Sequence, residues 1–95
     1  MKRYWVYILC SKQNGTLYIG ITSDIMRRIG QHKEGLIEGF TKKYRIKKLV
    51  YIEEFTNPEE AIICEKRLKK WKREWKIRLI TERNPNWEDL YANAL

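Results

Sequence analysis

The sequence predicts an α/β domain of the α+β kind: a small three-stranded, largely antiparallel sheet flanked by helices in the order ββαβαα. Three observations predict it. Tyr4 to Cys10 is a β-branched and aromatic run without polar alternation, as in a strand covered on both faces. Asn57-Pro58-Glu59-Glu60 is a strong helix start, with an Asx cap, a first-turn proline and a carboxylate at the third position. From there Ala61, Cys64, Leu68, Trp71, Trp75 and Leu79 recur at three- and four-residue steps, the signature of a buried face on one long helix or two abutting ones. With 95 residues and no linker or repeat, one domain over residues 1–95 is expected.

The remaining elements follow in order. Asn14-Gly15 carries turn residues, and Leu17 to Thr22 makes the return strand of a hairpin. Ser23 or Asp24 caps a helix running to about Lys33, with Gly35 as its stop signal. Residues 35–45 hold Gly35, Gly39, Thr41 and several lysines, and are expected to form a mobile basic loop. Residues 47–55 make the third strand. Asn84-Pro85 ends the last helix, and Trp87, Leu90 and Tyr91 are expected to fold the tail back onto the body.

Composition narrows the function. The formal net charge of +8, concentrated in residues 42–48 and 66–83, suits a polyanionic partner, nucleic acid first, although a solvated charged helix would carry the same residues. Cys10 and Cys64 form no C-x-x-C pair and sit in apolar patterns, so free thiols and a cytoplasmic location are expected. No segment is long enough to span a bilayer. One histidine, no Ser/His/Asp set and no Gly-rich phosphate loop exclude most familiar catalytic arrangements.

What remains is a group of six: Tyr7, Tyr18, Gly20, Arg28, His32 and Glu65. The opposite parity of Tyr7 and Tyr18 sends both to one face of a bulge-free hairpin with an even-length loop. A loop over residues 11–14 would set them directly opposite, and a two-residue turn at Asn14-Gly15 about 13 Å apart. Gly20 inside a strand suggests close approach by another backbone or a ligand, or a bulge. Arg28 and His32, four residues apart, flank the apolar stripe of their helix. Glu65 lies hard against the buried stripe of its own helix, where a carboxylate must pair with Lys or Arg, bind a metal or bear a desolvation cost.

Trp5-Val6-Tyr7, ten intervening residues, Tyr18-Ile19-Gly20, then Thr22, Arg28, His32 and Glu65 resemble the GIY-YIG nuclease pattern. Leu49-Val50-Tyr51, Glu65-Lys66, Trp75-Lys76 and Asn84-Pro85 resemble its small stand-alone bacterial branch. Trp5 and Val6 replace the glycine and isoleucine of the first triplet, and Ile21 stands where some repair nucleases carry a lysine. The resemblance implies a structure-directed DNA endonuclease linked to repair or recombination, in which Glu65 holds Mg²⁺ or Mn²⁺. It makes Tyr18 the general base, Tyr7 its partner, Arg28 the donor to phosphate oxygens and His32 an assistant. Gly20 would let the substrate approach, while Lys42 and Lys43 of the loop and Lys69 and Lys72 of the helices would grip the DNA backbone. RNA is a possible partner, as is a targeting protein. A non-catalytic nucleic-acid-binding module on the same fold is the alternative.

Overall fold

The computed structural model describes residues 2–37 and 39–93. Its elements are β1 (Tyr4–Cys10), β2 (Leu17–Thr22), α1 (Ile25–Lys33), α2 (Phe40–Lys43), β3 (Lys48–Phe55), α3 (Pro58–Lys70), α4 (Arg73–Arg83) and α5 (Leu90–Asn93). The sheet is antiparallel with β1 between β2 and β3. The α+β class and the three strands are as expected. The element order gains two one-turn helices, α2 in the basic loop and α5 in the tail.

Strand β1 is apolar on both sides because it separates two cores. Val6, Ile8 and Cys10 pack with Ala61, Leu68 and Ile80 of α3 and α4. Tyr7 and Leu9 point the other way, onto Ile29, Ile46 and Leu49. The hairpin closes differently from either expected register, pairing Tyr7 with Gly20 and Leu9 with Tyr18. The amide of Ser11 donates to the Thr16 carbonyl at 3.1 Å and that of Gly15 to the Lys12 carbonyl at 2.8 Å, so the turn is a four-residue one. Asn14 supplies its left-handed position at φ 58°, a conformation that asparagine tolerates better than most residues.

Local signals set the helix ends. Asp24, not Ser23, caps α1, its side chain accepting from the Arg27 amide, and the chain leaves the helix at Gly35 with φ 70°. The Asn57 side chain accepts from the amides of Glu59 and Glu60 at 2.8 and 3.2 Å. Trp71 and Lys72 adopt extended backbone between α3 and α4, so two abutting helices carry the apolar stripe. That break resets the phase. Ala61 and Leu68 are buried, whereas Trp75, expected in the stripe, is 50% exposed and packs edge-to-face with Trp71, ring centroids 5.9 Å apart.

The basic segment is anchored where a mobile loop was expected. The Ile46 amide donates to the Thr41 carbonyl at 2.9 Å, and both residues are buried. The tail folds back as anticipated. Buried Asn84 donates to the Val50 carbonyl and accepts from the Glu88 amide, while buried Trp87 donates to Thr81 Oγ1. Cys10 is buried and Cys64 partly so, both as free thiols. Among the described residues no helix is long and apolar enough to cross a membrane.

Candidate active site

Strand alternation and helix periodicity bring four of the sequence-predicted residues onto the Tyr7 side of the sheet. Tyr18 is two residues from Gly20, the partner of Tyr7, so the two phenols are diagonal neighbours with ring centroids 6.4 Å apart. That is nearer than a two-residue turn would leave them. Gly20 is required by the same packing, since a Cβ there would stand 2.4 Å from both Cζ and the hydroxyl of Tyr7. The close approach at Gly20 is made by the Tyr7 phenol, a side chain where another backbone or a ligand was expected.

Arg28 and His32 face these rings from successive turns of α1. His32 is buried, and its ring centroid is 6.0 Å from that of Tyr7 and 5.5 Å from that of Tyr18. Its Nε2 lies 3.2 Å from the Tyr7 hydroxyl and its Nδ1 3.2 Å from Thr41 Oγ1. Burial, then the positive charge of Arg28, pulls the imidazole pKa down to about 4. His32 is thus neutral near pH 7. Burial also pushes the Tyr7 phenol above its ordinary pKa; Arg28 opposes that rise, while Tyr18 and Glu65 add to it. At Tyr7 desolvation outweighs the guanidinium. Arg28 in turn is held above its usual pKa, first by the Tyr7 hydroxyl and, against burial, also by Tyr18.

Glu65 comes from α3, whose buried residues pack on the opposite core. Its carboxylate pairs with Lys69 one turn along at 3.2 Å, the two side chains 15% and 54% exposed. No buried cation neutralises it among the described ion pairs. Its charge adds, after burial and Tyr18, to the upward push on the Tyr7 phenol. No group of three or more His, Cys, Asp or Glu side chains suited to a metal ion occurs among the described residues.

Residues 3–78 match the family model described as the GIY-YIG catalytic domain. The chain belongs to the GIY-YIG family. It is 38% identical over 82 residues to a UPF0213 protein of Staphylococcus saprophyticus, covering 86% of this chain and 99% of that one. A UPF0213 protein of Staphylococcus haemolyticus is 37% identical over 83 residues, covering 87% and 100%. The solution NMR structure of a UPF0213 protein of Bacillus halodurans is similar over 92% of each chain, with a TM-score of 0.58 and 31% identity. Tyr7, Tyr18, Arg28, His32 and Glu65 all fall inside the span matched by the GIY-YIG domain.

The cations of this GIY-YIG chain divide by task. Lys42 and Lys43 end α2 and are exposed, with the Lys43 ammonium 5.4 Å from the centre of the Tyr44 ring. Lys72 is exposed at the start of α4. Lys69, expected to grip substrate, is engaged by Glu65. Arg73 is also committed internally, donating to the carbonyls of Asn14 and Gly15 at 2.7 and 2.5 Å. A polar hollow of about 300 Å³, lined by Thr22, Ser23, Asp24, Arg27, Arg28 and Gln31, opens beside the guanidinium. A larger one of about 420 Å³ lies on the α3–α4 side and includes none of the site residues. Thr41 is the residue sequence reasoning missed. Its only signal was a hydroxyl among lysines, which equally suits a turn.

Proposed function

We propose that the protein is a divalent-metal-dependent endonuclease that hydrolyses phosphodiester bonds in DNA, structure-directed and serving repair or recombination. The observation that carries this reading is the convergence of two phenols, a guanidinium and a neutral imidazole on one face of the sheet. A carboxylate whose partner is a half-exposed ammonium suits a hard cation that takes one protein oxygen and keeps its waters. Glu65 would hold Mg²⁺ or Mn²⁺, which when bound supplies Lewis-acid stabilisation of charge on the phosphate and leaving oxygens.

The chain's own residues do the rest. Tyr18 is less buried than Tyr7 and is the candidate general base that takes the proton of the attacking water. Tyr7, protonated and enclosed, holds Arg28 in place. Arg28 offers planar paired N–H donors to phosphate oxygens as charge accumulates there. Neutral His32 fixes the Tyr7 hydroxyl. Lys42, Lys43 and Lys72 meet the phosphate backbone without reading bases. A non-catalytic binding module would have no use for a carboxylate held only 15% exposed on α3.

The test is single-turnover cleavage of labelled duplex, flap, junction and single-stranded DNA with Mg²⁺ or Mn²⁺, wild type against Tyr18→Phe. Metal-dependent cleavage lost in the variant is expected. Binding without cleavage in every condition would overturn the enzyme reading in favour of the module.

A further inference from the structure

On the side of the sheet away from the phenols, α3 and α4 border a groove. Its larger part, the hollow of about 420 Å³ described above, has Arg67, Trp71 and Arg83 in its lining. A second hollow of about 220 Å³ is lined by Trp71, Trp75, Arg78, Leu79 and Glu82. Trp71 and Leu79 border both, so the two adjoin. Nothing in this groove takes part in the phenol site.

The lining sets rings beside guanidinium groups. Trp75 is 50% exposed, and Arg78 follows it by one turn of α4. Arg83 is already committed, lying over the Tyr51 ring at 5.0 Å and 4.0 Å from Glu53. Among the described residues, the side chains of Arg67 and Arg78 make no hydrogen bond or ion pair. Glu60 and Glu82 also reach the lining, but across residues 66–83 the acids are Glu74 and Glu82 alone, within a large excess of Lys and Arg. A second copy of the chain would bring the same positive charge to this face, and a protein partner would have to be strongly acidic as well as apolar. A nucleic acid supplies a flat ring and a negative charge in every unit. In a duplex the ring faces are stacked on one another and only edges and phosphates are offered. An unpaired strand offers the faces themselves, which an indole can stack.

We propose that the α3–α4 groove is a second nucleic-acid site, specific for an unpaired strand, in which Trp75 stacks a base while Arg67 and Arg78 meet phosphates. Cleavage directed to DNA with an unpaired segment is the consequence for substrate choice. That consequence rests on the nuclease reading; the binding does not.

The test is fluorescence anisotropy of the full chain, without metal, on a labelled oligothymidylate of about 12 nucleotides and on an abasic oligomer with the same number of phosphates. Wild type is expected to bind the thymidylate about tenfold more tightly, the scale of one stacked base. Trp75→Ala, at a half-exposed position, is expected to erase that preference and leave abasic binding within about twofold, with Trp75→Phe keeping a ring and most of the preference. Arg78→Gln is expected to weaken both oligomers alike and to lower the slope of log K against log salt by about 0.7. Equal affinity of wild type for the two oligomers, a preference that survives Trp75→Ala, or an unchanged salt slope in Arg78→Gln overturns the proposal. Self-association of wild type that Trp75→Ala abolishes, with no preference for bases, overturns it in favour of a second copy. If no DNA is cut in any condition, the nuclease reading fails while these affinities still decide the groove. Cleavage without a preference for bases fails the groove alone.

Discussion

Tyr7 and Gly20 face each other across the first two strands with the phenol occupying the space in which a side chain at position 20 would begin. Tyr7 is completely buried, so its ring has no open direction in which to yield. Gly20→Ala is therefore expected to destabilise the fold by about 1–3 kcal/mol, as overpacking does, and to slow cleavage by displacing the hydroxyl from His32. Chemical denaturation and single-turnover rates check both. A variant as stable and active as wild type would mean that the ring can step aside.

Arg28→Lys keeps the charge and loses the planar fork. Because Arg28 stands beside both phenol hydroxyls, an ammonium cannot serve them and a phosphate together. Cleavage is expected to fall by at least about tenfold while the melting temperature moves by a few degrees at most. Near-normal turnover would return Arg28 to the role of a surface helix residue.

The depressed pKa of His32 sets a pH dependence of stability. In the unfolded chain the imidazole takes up a proton near pH 6.5, in the folded one only near about 4. Between those values the unfolded state binds more protons, so this contribution is fully present above pH 6.5 and is lost as pH falls through 4. Its full size is about 3 kcal/mol, at roughly 1.4 kcal/mol per pH unit. The difference between the stability–pH curves of wild type and His32→Gln isolates it from the carboxylates. A flat difference curve between pH 7 and 4 would contradict a buried neutral imidazole.

Glu65→Gln separates the two tasks open to a half-hidden carboxylate. Its ion-pair partner Lys69 is 54% exposed, and exposed pairs one helical turn apart contribute only about 0.3–0.5 kcal/mol. Stability without metal is expected to change by less than about 0.5 kcal/mol, while cleavage and Mn²⁺ affinity collapse. Denaturation curves with and without Mn²⁺, beside cleavage rates, provide the check. A loss on the order of 3–5 kcal/mol with cleavage intact would mark Glu65 as half of a structural ion pair instead.

Local chemistry is what the sequence made legible. The Asn57 cap, the Asp24 cap and the Gly35 stop were readable because each acts within a few residues. The shared face of Tyr7 and Tyr18 was readable because strand alternation is strict. Their exact offset was not, since it depends on how Ser11 to Thr16 close the hairpin. The helix break at Trp71 and Lys72 carries no glycine or proline, so the exposure of Trp75 had no signal. The pairing of Lys69 with Glu65 was legible in their four-residue spacing, yet Lys69 reads equally as a substrate contact. Thr41 was out of reach because its meaning comes from His32, a tertiary contact.

The order in which the chain supplies its site has a consequence for the growing polypeptide. Tyr7, Tyr18, Arg28, His32 and Thr41 belong to β1, β2, α1 and α2, which follow one another along the chain, whereas Glu65 comes from α3 beyond the third strand. Segments close in sequence meet early and cheaply, and distant ones must first close a long loop. A molecule still emerging from the ribosome, or one whose α3 has come loose, would hold its phenols and guanidinium without the acid proposed to carry the metal. If Glu65 holds the metal as proposed, such a molecule would be unable to cut, and chain order alone would keep a half-made site idle.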